Sequence, residues 1–118
     1  MESILNSIKK LIGPSAVYNN FDTDLIIHIN SVFTILHQLG VGPSEGYRIT
    51  SEHNTWDEFI PDDIQIELVK TYVYLKVKLI FDPPDRAAVL EAMNNTIIEC
   101  ECRLQMAAEL AQKNREEV

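Results

Sequence analysis

The sequence is poor in most of what chemistry or covalent stapling would need. Its only two cysteines, Cys100 and Cys102, stand one residue apart. On a helix, residues two apart point to different sides, so the pair cannot close a useful loop. They read as reduced thiols and not as a disulfide framework. Glycine and proline are scarce, four and five in 118 residues, which disfavours both disorder and an all-β architecture. Basic residues are outnumbered, ten against 18 acids, for a formal net charge of −8. A protein that tracks a nucleic-acid backbone needs a basic surface, and so does one that docks on anionic membranes. No uncharged apolar run approaches the roughly 20 residues that cross a bilayer. The first residues, Met1 to Gly13, alternate polar and apolar at helical spacing and do not read as a secretory leader. A soluble protein, intracellular at least where it is made, is expected.

Catalytic and metal motifs are missing too. His28 and His37 lie nine residues apart in one helical stretch, about two and a half turns, too far to share an ion. His53 falls in an irregular stretch. There is no HExxH and no CxxC, and Cys100-Glu101-Cys102 alone is a poor zinc site. No serine stands in a GxSxG context and no glycine-rich loop could cradle phosphate. The expectation is a protein that is not an enzyme, with no cofactor and no metal.

What is present is helical periodicity over one domain, residues 1–118. In the first segment Ile4, Leu5, Ile8, Leu11 and Ile12 share a face, with Asn6, Lys9 and Lys10 opposite, and Gly13-Pro14 ends it. The second opens at Asp22 or Thr23 as N-cap. Leu25, Ile29, Val32 or Phe33, Leu36 and Leu39 form its stripe, Ile26, Ile27 and Ile35 widen it, and Gly40 supplies a left-handed end. Val41 to Ile60 is irregular, with Tyr47–Thr50 and Thr55–Asp57 able to pair as a short hairpin across 51–54. Trp56 there reads as a lid over the helical core.

A third helix is expected after Pro61, with Asp62, Asp63 and Glu67 suiting its amino end. Ile64, Leu68, Tyr72, Leu75 and Leu79 form one stripe and Val69, Val73 and Ile80 a second, so this helix should be the centre of the fold. The fourth is expected to open at Asp82 as N-cap, with Pro83 and Pro84 in its first turn. Leu90, Met93, Ile97, Cys100, Leu104, Ala107 and Ala111 then repeat at spacings of three and four, a heptad seam that should pack on the third helix. The charged tail, 112–118, is expected to be mobile when free. The fold class is therefore all-α: a bundle of four segments with an irregular or hairpin-like insertion between the second and third.

Acids cluster in one region: Glu45, Glu52, Asp57, Glu58, Asp62, Asp63 and Glu67 face only Arg48 within that span. Such a knuckle suits a partner surface or a field that repels DNA, as well as plain solubility.

In order and spacing these signals resemble the small helical head–tail connectors of long-tailed bacteriophages and prophages. The resemblance runs through nearly the whole chain. It rests on Phe21-Asp22-Thr23-Asp24, His28-Ile29-Asn30-Ser31-Val32-Phe33, Leu39-Gly40-Val41-Gly42-Pro43, Thr55-Trp56, Val69-Lys70-Thr71-Tyr72-Val73-Tyr74-Leu75-Lys76 and Phe81-Asp82-Pro83-Pro84.

The resemblance implies a structural virion protein that assembles as a ring under the portal and connects the packaged head to the tail. Its implied partners are the portal protein, a tail-side stopper or tail completion protein, and further copies of itself. DNA passes through the ring without specific binding, and no membrane is involved. The implied location is the virion, and the host cytoplasm during assembly. By position, the portal contact falls to the end of the chain, with Gln105, Glu109, Gln112, Lys113 and Arg115 as candidates. The ring or tail-side contact falls to Arg48, Glu52, Trp56, Asp57 and Glu58. Asp22, Gly40 and Asp82 are expected to act as structural caps. An alternative class is a small acidic phage-encoded inhibitor, or a helical regulator acting on a host partner. An inhibitor that mimics DNA needs acids spaced like phosphates on one face, and here they gather in one loop.

Overall fold

A computed structural model describes residues 2–14, 19–60 and 65–116, apart from the side chains of residues 19, 115 and 116. Among the described residues the secondary structure is helical: α1 (Ile4–Ile12), α2 (Asp22–Gln38), a single turn α3 (Trp56–Phe59), α4 (Gln65–Phe81) and α5 (Ala87–Glu116). A 3-10 turn, Asn19–Phe21, leads into α2. The all-α bundle expected from the periodicity is the fold.

The apolar stripes meet around α4, which packs against α1, α2 and α5. Val69, Tyr72, Val73 and Val77 on α4 are fully buried, as are Ile4 and Ile8 of α1 and Leu25, Ile29, Phe33 and Leu36 of α2. Two positions in these stripes turn out differently. Ile80 and Leu11, assigned to the core by spacing, are about half exposed, while Val77 takes the inner place on α4. Lys9, expected on the wet side of α1, is buried with its Nζ 2.8 Å from Asp22 Oδ1.

That pairing also corrects Asp22 as an N-cap. Asp22 is the first residue of α2, Phe21 precedes it in the cap position, and the carboxylate faces Lys9 across the α1–α2 contact. At the other end of α2 the chain closes with a six-to-one bond, Val41 N–H to Leu36 O at 2.9 Å, and Gly40 N–H donates to His37 O at 3.0 Å. Gly40 holds φ at +89° there, a conformation that side-chain-bearing residues avoid.

Asp82 does not cap the last helix. Its N–H donates to Lys78 O at 2.9 Å and its carboxylate meets Lys78 Nζ at 3.1 Å, so it finishes α4. Two successive prolines explain why. A residue before proline is disfavoured in the helical region, so Pro83, standing before Pro84, cannot open a helix. The start is postponed to Ala87, with Leu90 N–H donating to Arg86 O at 3.0 Å. The expected start of α4 at Pro61, Asp62, Asp63 and Ile64 lies outside the described residues.

The hairpin is replaced by side-chain clamps. Asn30 of α2 takes both backbone groups of Ile49, donating from Nδ2 to the carbonyl at 2.9 Å and accepting the N–H at 2.7 Å. Asn54 Oδ1 accepts from Thr50 and Ser51 N–H at 2.8 and 3.2 Å, closing the turn on itself. With those groups satisfied, residues 49–51 need no strand partner. Thr55 instead bridges antiparallel to Ser3, where Ile4 N–H donates to Asn54 O at 3.0 Å. Trp56 lies over the core, as a lid should: it is buried, its Nε1 donates to Ser7 Oγ at 2.9 Å, and its ring is 6.3 Å from that of Phe33.

Candidate functional site

The longest element dominates the surface. Helix α5 has 30 residues and so runs about 45 Å. Its sequence carries the heptad seam, but the seam is buried only in the middle, at Ile97, Cys100 and Leu104. There Tyr72 of α4 donates its hydroxyl to Glu101 Oε2 at 2.8 Å, fastening the two helices. Burial, the hydrogen bond and the Glu101 charge together hold the Tyr72 phenol well above its ordinary range. Burial likewise pushes the Cys100 thiol up, reinforced by Glu99 and Glu101 and partly opposed by Arg103. Cys102, two residues on, is exposed.

Both ends of α5 are free of this clamp. At the amino end, an apolar groove of about 780 Å³ opens between α5 and α4. Val89, Ala92 and Met93 of α5 line one side and Tyr74 and Leu75 of α4 the other, with Leu11, Lys70 and Arg86 also lining it. At the carboxyl end, Ala108 meets the Gly40 turn, where a Cβ added to Gly40 would come within 3.1 Å of its Cβ. Beyond it the helix continues to Glu116 with residues 109–114 exposed.

Of the portal-contact candidates, Gln105, Glu109, Gln112 and Lys113 are exposed on this end, and the side chain of Arg115 lies outside the described residues. Gln105, Glu109 and Gln112 follow at spacings of four and three and share one face. Met106 and Leu110, both about 60% exposed or more, lie on another. The sequence reading missed those two because they fall off the heptad register. Two large apolar residues four apart outside the buried seam were the available signal.

The second set of candidates divides. Arg48, Glu52, Asp57 and Glu58 are exposed around the irregular stretch, but Trp56 is 4% exposed and drops out, because its ring is spent on the core. Glu58 organises the stretch. Its Oε1 accepts from Tyr47 Oη at 2.8 Å, Asn54 Nδ2 at 3.1 Å and Thr55 N–H at 3.4 Å. Hydrogen bonds from Asn54 and then Tyr47 lower its pKa. Burial, followed by the bond to Glu58, raises that of Tyr47 above the ordinary phenol range. Behind them Phe33, Tyr47 and Phe59 form a ring cluster with centroids 4.6–5.6 Å apart. Gly42 carries φ +95° against Phe59, where a Cβ would collide with the ring.

Among the described residues no group of three His, Cys, Asp or Glu is gathered as metal ligands, and no helix is long and apolar enough to cross a membrane. The exposed candidate features lie at both ends of one long helix and along one acidic stretch. Residues 4–111 match the family model of the phage connector protein. The chain belongs to that family. No curated protein and no solved structure matches it. As a member of a phage head–tail connector family, the chain has a structural role, joining head and tail components as part of the virion. The connector match ends at Ala111, so α5 runs on past it for more than a turn.

Proposed function

We propose that this connector assembles as a ring under the portal and that the carboxyl-terminal end of α5 is its portal anchor. The observation that carries the reading is the continuation of α5 for about three turns beyond Leu104, the last of its described residues to be buried. A helix that outruns its own domain presents solvent-exposed side chains to a partner, as residues 109–114 do here. Gln105, Glu109 and Gln112, with Lys113 beside them, then supply polar contacts to the portal, and Arg115 follows by position. Arg48, Glu52, Asp57 and Glu58 face ring neighbours or the tail-side stopper or completion protein. The net charge of −8 suits a channel wall along which DNA passes without adhering. Assembly takes place in the host cytoplasm, and the finished ring is carried in the virion.

Deleting residues 112–118 tests the anchor. Among the described residues the deletion removes no buried side chain, so the thermal transition of the purified protein should stay within about 2 °C of wild type. Joining should fail, because a contact repeated in every subunit of a ring multiplies a small loss. Infection with the truncated gene should give heads and free tails with few joined particles, and added full-length protein should restore joining in an extract. Normal infectious particles from the truncated gene would exclude the anchor, and normal particles from a complete deletion would exclude the connector role.

A further inference from the structure

Around α5 the side chains sort into three faces. The buried seam, Ile97, Cys100 and Leu104, holds one. The polar face of Gln105, Glu109 and Gln112 lies about 110° round from it at 100° per residue. The third, about 110° from the seam on its other side, is bare: Ala92, Thr96, Glu99, Arg103, Met106 and Leu110 succeed one another at spacings of three and four, all exposed. It is a second heptad stripe, exposed along its whole length.

The order of side chains along this stripe selects its occupant. Small residues, Ala92 and Thr96, come first and line the groove beside α4. A charge pair stands at the centre, with Arg103 Nη2 2.8 Å from Glu99 Oε1. Large apolar residues, Met106 and Leu110, come last. Laid antiparallel against an identical helix, with Glu99 opposite Arg103 of the second copy, the stripe sets Thr96 opposite Met106 and Ala92 opposite Leu110. Each large side chain then meets a small one in the groove of the other copy. The central charges meet their opposites twice, once on each side of the twofold axis. The two helix dipoles also run opposed. No other register pairs all six positions so.

The geometry points to a second copy of this chain as the occupant of that stripe, in an antiparallel α5–α5 dimer of the free protein. The contact is isologous, so every interaction occurs twice and the dimer closes on itself. One helix face is small for a stable interface, which ordinarily takes about 800 Å² from each partner, so the dimer is reversible. It goes beyond the docking reading and does not depend on it, because Gln105, Glu109 and Gln112 lie on a different face of α5; of the described portal candidates Lys113 alone continues the stripe past Leu110.

Sedimentation of the full-length protein over a range of concentrations tests this with a charge exchange. The wild type should pass from monomer to dimer as concentration rises. Glu99→Arg and Arg103→Glu each place like charges across the axis twice, and each alone should weaken the dimer on the order of tenfold. Mixed one to one, the two variants should recover dimerisation, because each supplies what the other lacks. Both sites are exposed and partner each other within the chain, so melts should show the fold intact. Leu110→Glu should also weaken the dimer, and neither charge variant should rescue it. A wild type that stays monomeric throughout overturns the proposal, as do single variants that dimerise normally or a mixture that does not recover. Failure of the portal anchor would appear in the joining assay and leave these sedimentation results unchanged.

Discussion

Replacing Asn30 by alanine removes two hydrogen bonds at once and should release the segment that carries Arg48. The amide spans the gap between α2 and Ile49, whose side chain is 1% exposed, and satisfies both backbone groups of that residue at 2.9 and 2.7 Å. Each bond is worth about 0.5–1.5 kcal/mol net, and the two freed groups are only partly reachable by water. The expected loss is therefore about 2–3 kcal/mol, a fall in Tm on the order of 10 °C for a domain of this size. Asn30→Asp is the informative companion. At neutral pH it keeps the acceptor for Ile49 N–H but turns a carboxylate oxygen toward Ile49 O, so it should cost at least as much as alanine. The repulsion raises the folded-state pKa of that carboxyl above its unfolded value. Protonation therefore restores a donor, and the deficit of the aspartate variant relative to wild type should shrink as pH falls toward 4. Urea melts of the three proteins at pH 7 and pH 4.5 make the comparison. An alanine variant that loses less than about 1 kcal/mol, or an aspartate variant whose deficit is the same at both pH values, would refute the clamp.

Three further expectations follow from packing and electrostatics. Leu104→Ala should cost about 2–5 kcal/mol in denaturant melts, since Leu104 is fully buried where α5 meets α4, while Leu75→Ala, at the edge of the groove, should fall at the low end of that range. A thiol reagent should modify Cys102 far faster than Cys100 in the native protein and both alike in denaturant, because Cys100 is buried and burial pushes its pKa up; equal native rates would contradict the helix register. Glu58 has its pKa lowered in the folded state, so its contribution is present above the unfolded value of about 4.3 and is lost as pH falls through the folded one. Glu58→Gln should flatten that acid limb of the stability profile, and an unaltered limb would show that the Tyr47 and Asn54 bonds to Glu58 contribute nothing.

Periodicity served best where one face of a helix meets one partner. The Ile97–Cys100–Leu104 seam and its packing on α4 were legible because the interval of three and four has a single reading there. It served less well on α4, which is surrounded by three helices. With apolar residues on most sides, spacing alone could not say that Val77 faces in and Ile80 out. Local grammar misled at Asp82, where an aspartate before proline looks like a cap until the second proline forbids the helix. It misled again at Trp56, whose aromatic ring in an acidic stretch suggests a contact but is needed by Phe33 and Ser7. Long-range polar partners were invisible in principle. Nothing local links Lys9 to Asp22 or Asn30 to Ile49, and both pairs depend on how α2 lies against its neighbours.

The end of α5 alters the energetics expected of docking. A charged tail that is disordered when free must be fixed residue by residue on contact, at about 1–2 kcal/mol of backbone entropy each. In the structure the chain is already helical to Glu116, so most of that cost has been met before a partner arrives. What sustains the extension is not burial, since residues 109–114 are exposed. It is continuity with a helix nucleated and clamped at Ile97 to Leu104, because adding a residue to an existing helix is far easier than starting one. Alanine at 107, 108 and 111, with Leu110 between, keeps the propensity high where packing gives out. The clamp that stabilises the bundle therefore also holds the far end of α5 in shape. A cavity at Leu104 should weaken joining as well as stability, although Leu104 itself is fully buried within the bundle.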